Sequence, residues 1–181
     1  MDAEAFINGS EEALGQLMDE MTPALMRYSY GILLNYSDAE DAVQTAFVKA
    51  YLGRGSIRDP GTLTAFLYRV TYNASVDIVR KRLFFITESA AGRQDRQFIS
   101  EEMAAALKKL PALDRALVYG RVVEEMSYTA LSAVHGKSEQ SLRKRYERAK
   151  KKLAKLLRPE QEPEKSATQE TQQTLERSGT L

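Results

Sequence analysis

Apolar residues recur at spacings of three and four along most of this chain and nowhere alternate over strand length, which predicts a nearly all-helical protein. Leu14, Leu17, Met18, Met21 and Leu25 place a first helix from about Glu11 to Leu34. Within it, Pro23 after Thr22 predicts a kink or a fresh start, because proline suits a first turn but lacks the backbone donor needed further in. Ser37-Asp38-Ala39-Glu40 reads as a capping box, opening a helix that buries Val43, Ala46, Phe47, Ala50 and Tyr51. Gly53, Gly55, Pro60 and Gly61 then make a loop. A third helix starts near Thr62 or Thr64 and runs to about Leu83, with Leu67, Val70, Ala74 and Ile78 on its buried stripe.

The pattern lapses after Phe84 and Phe85. Residues 86–100 are polar and aperiodic, and read as a linker between two domains. Helical spacing resumes at Glu101, is punctuated by Pro111, continues through Leu113, Ala116 and Leu117, and then gives two helical patterns separated by a glycine over residues 127–157. The last 23 residues are rich in Pro, Glu, Gln and Thr and hold too little apolar surface to offset ordering entropy. The expected architecture is all-α: two small helical domains, a flexible linker and a disordered C-terminal tail.

Composition narrows the chemistry. Of 181 residues none is Cys and one is His, which excludes disulfides, thiolate metal sites and cysteine nucleophiles, and leaves little for a metal cage or a His-dependent triad. No metal or cofactor is expected. The single histidine, His135, reads as a surface or turn residue. The N-terminus is acidic where a secretory signal would be basic and then apolar, so a soluble, cytoplasmic protein is expected.

A formal net charge of +1 conceals polarity along the chain. Residues 1–48 carry nine acids and one base, whereas residues 137–158 carry ten bases and two acids. The basic end suits a polyanion and the acidic end a basic protein surface; two solvated helix faces would show the same charges.

The stretch from Ser127 to Leu153, SYTALSAVHGKSEQSLRKRYERAKKKL, is the strongest local signal. Ser127 and Ser138 are each placed to cap a helix, Gly136 permits a left-handed turn between them, and Ser132 is small where two helices cross. Leu142, Tyr146, Ala149, Leu153 and Leu156 form a buried stripe on the second helix. Glu139, Gln140, Arg143 and Lys144 are left facing outward, where Arg or Gln can pair with base edges in a major groove and the helix N-terminus favours a phosphate. Turn, caps, stripe and charge agree on a DNA-binding helix-turn-helix rather than a plain hairpin. Further bases along residues 143–158, Arg148 among them, can meet phosphates.

Two other faces carry candidate chemistry. On the helix after Ser37, Asp41, Gln44, Thr45 and Val48 cluster opposite the buried stripe, readable as a docking surface or as a solvated face. On the third helix, Arg69, Asn73 and Arg80 share one side, with Lys81 and Arg82 following. Cations with an amide on one face can follow a nucleic-acid backbone and bond an exposed base. Tyr68 and Tyr72, on the flank, can stack on unpaired bases or pack against a neighbouring helix, packing being the default.

In this order the pieces resemble the extracytoplasmic-function sigma factors of bacterial RNA polymerase. Three blocks carry the resemblance over about residues 10–157: SDAEDAVQTAFVKAY, TAFLYRVTYNASVDIVRKR and LKKLPALDRALVYGRVVEEMSYTALSAVHGKSEQSLRKRYERAKKKL. It implies a sigma-2 domain over residues 1–84, a linker over 85–100, a sigma-4 domain over 101–158 and a tail over 159–181. Implied partners are the polymerase core, promoter DNA and an anti-sigma protein wedged between the domains. By the same resemblance Asp41 and Gln44 match positions that dock on a coiled coil of the largest polymerase subunit, with Thr45 where many members have Glu. Asn73 and Arg80 match positions near the melted -10 element, and Gly53 to Leu63 the loop that captures a flipped base. Leu63 and Phe66 stand where Phe and Trp are usual. Ser141, Leu142, Arg143 and Arg145 match the -35 recognition helix, and Lys137 replaces a usual apolar residue after the turn glycine.

The function expected is promoter-specific initiation without covalent catalysis. A stand-alone helix-turn-helix regulator is the alternative, and it predicts a dimer on a palindromic operator because one small reading head seldom supplies enough specificity. A helical adaptor or a carboxylate-based hydrolase fits worse, since the acids are scattered over helix faces with nothing to orient them.

Overall fold

A computed structural model describes residues 2–84 and 99–158, and all regular structure within them is helical. In order these are α1 (Ala3–Ile7), α2 (Glu11–Leu33), α3 (Tyr36–Gly53), α4 (Leu63–Phe84), α5 (Glu101–Lys108), α6 (Ala112–Val122), α7 (Tyr128–His135) and α8 (Glu139–Leu156). Two single 3-10 turns, Arg54–Ser56 and Pro60–Thr62, shape the segment expected to be a loop. The expected tail and most of the expected linker lie outside the described residues. The linker's last two positions are inside them, and there the Ser100 hydroxyl caps α5 by accepting from the Met103 N–H at 3.2 Å.

Helix α2 is continuous from Glu11 to Leu33, with Pro23 inside it and no fresh start. Pro23 withholds the donor that the Asp19 carbonyl would use, but both residues lie on the solvent side, where water can serve. The helix stops at Leu34, whose left-handed backbone (φ 54°) reverses the chain. This sets the next start. Asn35 is left extended, and its side chain accepts from the Asp38 N–H at 2.8 Å, so Asn35 caps α3 in place of the expected Ser37-to-Glu40 box. Both of those residues sit within the first turns of the helix.

The first half packs α2, α3 and α4 together, with Leu17, Leu25, Ile32, Leu63 and Leu67 fully buried. Each such side chain contributes about 1.5–3 kcal/mol relative to its exposed state. Val43, Ala46, Phe47 and Ala50 are buried as expected, while Tyr51 is half-buried. Helix α4 departs further from its expected stripe: Leu67 and Ala74 are buried, Val70 and Ile78 only half, and Tyr68, Thr71 and Ser75 take the remaining interior places. The Ser29 and Ser75 hydroxyls meet at 2.9 Å, and Ser75 donates to the Thr71 carbonyl at 2.8 Å. Small hydroxyl residues thus line the α2–α4 contact; the Ser29 and Ser75 hydroxyls are satisfied locally, whereas the Thr71 hydroxyl is buried with no hydrogen-bond partner among the described residues.

The second half folds α5 to α8 around Leu107, Leu117, Leu131, Leu142 and Ala149. Its apolar interior runs on into that of the first half, because α6 lies on α2 and α7 lies on α4.

Candidate nucleic-acid and partner-binding faces

The helix-turn-helix is built as its local sequence dictates. Ser127 caps α7 by accepting from Ala130 N–H at 3.0 Å, Gly136 takes a left-handed conformation (φ 63°), and Ser138 caps α8 by accepting from Ser141 N–H at 3.3 Å. Leu142 and Ala149 are buried, with Tyr146, Leu153 and Leu156 half-buried along the same stripe. Ser138, Glu139, Gln140, Ser141, Arg143, Lys144 and Arg148 are exposed.

Arg143 does not project at random. Its guanidinium stacks over the Tyr128 ring at 4.4 Å, and Arg121 covers the same ring at 4.9 Å. Tyr128 is further fixed edge-on by Tyr146. Arg145 points the other way, half-buried and ion-paired with Asp114 of α6. Within α8, then, Arg145 ties two helices together while its neighbours face solvent.

On α3, Asp41, Gln44, Thr45 and Val48 are brought together on one exposed face, as their spacing predicts. Val48 is 60% and Leu52 75% exposed, and beside them Met18 of α2 is 41% exposed. With Leu14 and Phe47 these side chains border a shallow apolar groove of about 340 Å³, with Gln44 at its rim. Three exposed large apolar residues around one groove mark a surface made for contact, where a single one would not. Leu52 and Met18 escaped the sequence reading because a one-helix projection cannot show the groove between α2 and α3.

Helix α4 brings Arg69, Asn73, Arg80, Lys81 and Arg82 to the surface, but not as a row of unengaged cations. Arg69 donates to the Ala133 carbonyl of α7, Arg80 lies 3.7 Å from Asp77, and Arg82 is ion-paired with Asp38 of α3. Tyr68 and Tyr72 are engaged by protein. The Tyr68 hydroxyl donates to Glu124 at 3.0 Å, and the Tyr72 ring meets the His135 ring edge-on at 4.6 Å. Burial, with Glu124 beside it, pushes the Tyr68 phenol well up. Burial also raises Tyr72, against the lowering effect of Arg145 and Arg80.

His135 departs from expectation. It is inserted between the halves, its Nε2 3.3 Å from the Tyr28 hydroxyl, and its Nδ1 is buried with no hydrogen-bond partner among the described residues. Burial, helped by the charge of Lys137, pulls it down to about 4. Among the described residues no cluster of His, Asp and Glu is arranged to hold a metal ion, and no helix is long and apolar enough to cross a membrane.

Comparison with known proteins matches residues 17–83 to Sigma-70 region 2 and residues 100–153 to Sigma-70, region 4. The ECF RNA polymerase sigma factor SigM of Mycobacterium tuberculosis is 30% identical over 84% of this chain and 81% of its own length. SigW of Bacillus subtilis, also an ECF RNA polymerase sigma factor, is 22% identical over 83% and 91%. Among solved structures, CnrH in complex with the cytosolic domain of CnrY is 26% identical, with a TM-score of 0.66 over 86% of this chain and 94% of that one. RpoE of Bartonella quintana, solved with the anti-sigma factor NepR, is 24% identical with a TM-score of 0.67 over 81% and 97%, a likeness of fold.

Proposed function

Because the chain belongs to the extracytoplasmic-function sigma factors, which direct RNA polymerase to promoters, we propose that its three exposed faces divide the work of initiation among themselves. Asp41, Gln44, Thr45 and Val48 on α3 dock on the polymerase core, with the apolar groove beside them taking a side chain of the partner. Arg69, Asn73, Arg80, Lys81 and Arg82 on α4 receive the melted -10 strand. Ser138, Gln140, Ser141, Arg143, Lys144 and Arg148 on α8 read the -35 duplex, and Arg145 supports that helix from behind. The division follows the two matched regions, residues 1–84 serving the core and the -10 element and residues 101–158 the -35 element. The protein works in the cytoplasm and does no covalent chemistry; its contribution is binding energy, offsetting the few kcal/mol that unstacking a base costs. RpoE of Bartonella quintana, solved with the anti-sigma factor NepR, supports an anti-sigma protein as regulator here too.

The observation that carries this reading is the pairing of a charged-and-amide edge on α3, Asp41 and Gln44, with the apolar groove between α2 and α3. Replacing Asp41 and Gln44 together by Ala should weaken binding to purified core polymerase at least tenfold, leave helical content unchanged and abolish promoter-dependent run-off transcription. Unaltered core affinity would remove α3 from the account.

A further inference from the structure

The first turn of α7 is joined to α8 by Tyr128 and Thr129. Thr129 donates its hydroxyl to the Glu139 carboxylate at 2.8 Å. The Tyr128 ring lies under the Arg143 guanidinium, 4.4 Å from its centroid, and meets the Tyr146 ring edge-on at 6.4 Å. Arg143 and Tyr146 stand three residues apart on α8 and so share one side of it, which lets a single ring touch both. That ring is itself held in place. Ser127 caps α7 one residue before it, and Arg121 covers it at 4.9 Å while donating to the Met126 carbonyl in the turn between α6 and α7. Stacking uses the flat face of a guanidinium and leaves the N–H groups at its edge free to donate.

We propose that Tyr128, backed by Arg121, is the positioning residue of -35 recognition: it aims Arg143 before DNA arrives and so sets how strictly one base pair is read. The inference deepens the reading of α8 as the -35 face and rests on it. Bidentate pairing with guanine O6 and N7 depends on both the place and the plane of the guanidinium. An arginine loose on a helix surface has several side-chain torsions to freeze on binding, and it reaches a phosphate as readily as a base edge. A stack on a fixed ring removes much of that freedom in advance and consumes no donor. The neighbouring arginines of α8 are held differently. Arg145 is turned inward to Asp114, and Arg148 donates along its own helix to the Lys144 carbonyl at 3.4 Å. Arg143 is therefore the arginine of this stretch that a ring holds outward, and discrimination should depend on that ring.

The test selects -35 duplexes from a random pool with the full wild-type chain, then measures for each variant the preference ratio at every base pair of the selected sequence. Arg143→Ala identifies the position that Arg143 reads. There, Tyr128→Leu, which keeps apolar bulk but has no π face, should lower the ratio about three- to tenfold and leave the other positions unchanged. Tyr128→Phe should stay within about twofold of wild type, because the stack needs the ring and not the hydroxyl. Adding Tyr128→Leu to Arg143→Ala should cost nothing further at that position. An unchanged ratio for Tyr128→Leu overturns the proposal. So does a loss spread evenly over all positions, which marks Tyr128 as packing, or a Tyr128→Phe chain as poor as Tyr128→Leu, which marks the hydroxyl as a DNA contact. If Tyr128→Leu loses helical content, phenylalanine at 128 is compared with its trifluorinated form, close in shape but with a weaker negative face; equal ratios then overturn the proposal. An Arg143→Ala chain with unchanged preference at every base pair fails at the earlier step, the reading of α8, and takes the role of Tyr128 with it.

Discussion

Helices α4 and α8 both carry cations toward solvent, yet those of α4 are largely engaged by protein while most of the exposed face of α8 is not. In α8 the packing stripe, Leu142 to Leu156, and the exposed face, Gln140 to Arg148, lie on opposite sides, so folding consumes one and leaves the other. Arg145 crosses over to Asp114, and further along Lys152 donates to the Lys109 carbonyl at 2.9 Å. Helix α4 is covered by α2, α3 and α7 at once. Its cations therefore double as structure: Arg69 on Ala133, Arg80 beside Asp77 and Arg82 on Asp38. A helix with one buried side keeps its cations apart from its packing, whereas one packed on three sides spends several of them on its neighbours.

The difference is most open to attack through salt. If about four to six bases of α8 meet phosphates, raising salt from 50 to 200 mM should weaken binding of the full chain to duplex DNA by about two to three orders of magnitude, since each contact adds about -0.9 to the log-log slope. Fluorescence anisotropy on a duplex carrying the selected -35 sequence measures this. A loss smaller than about tenfold would mean that α8 is not a phosphate-contacting helix, and the contrast with α4 would vanish.

Arg143 and Arg145 sharpen the comparison within α8 itself. Arg143→Ala, removing a guanidinium held out over Tyr128, should cost about 1–3 kcal/mol of binding and relax preference at one or two base pairs. Arg145→Ala should leave preference intact and instead lower folding stability by about 1.5–3 kcal/mol, because a charged hydrogen bond between α6 and α8 is lost. Binding to randomised -35 duplexes and thermal unfolding separate the two. A changed base preference for Arg145→Ala would show that its pairing with Asp114 gives way on DNA.

Much of this was legible from the chain because the signals are short-range. Ser127, Gly136 and Ser138 act within four residues of themselves, and the helix-turn-helix they predict is the one that forms. The α3 face follows from helical spacing alone. Where two local signals competed, the structure decided on grounds outside the window: Asn35 beats Ser37 as a cap because Leu34 turns left-handed and leaves Asn35 extended. The contact between the halves left no local trace. Arg27 and Glu124 are 97 residues apart and Tyr28 and His135 are 107 apart, and a lone histidine in a turn announces no partner at that distance. Arg69 looked like an uncommitted cation for the same reason.

His135 gives the mildest test of how α4 is held. The imidazole sits between Tyr28 of α2 and Tyr72 of α4, with Lys137 near it and Arg145, Arg80 and Asp114 near Tyr72, and burial pulls it down from 6.5 to about 4. The contact therefore favours the neutral ring: its stability is full above about pH 6.5 and is lost as pH falls toward 4, because burial disfavours the charged ring and a second N–H at the unpartnered Nδ1 would be without an acceptor. Between pH 7 and 5.5 the equilibrium constant for keeping the two halves in contact should fall about eightfold. Labels on thiols placed in the two halves would report it as a growing separation. His135→Gln keeps an acceptor for the Tyr28 hydroxyl but cannot titrate, so its separation should hold steady over that range. If the two halves of the variant separate with falling pH as those of the wild type do, the proton acts elsewhere in the contact, and His135 is packing rather than sensor.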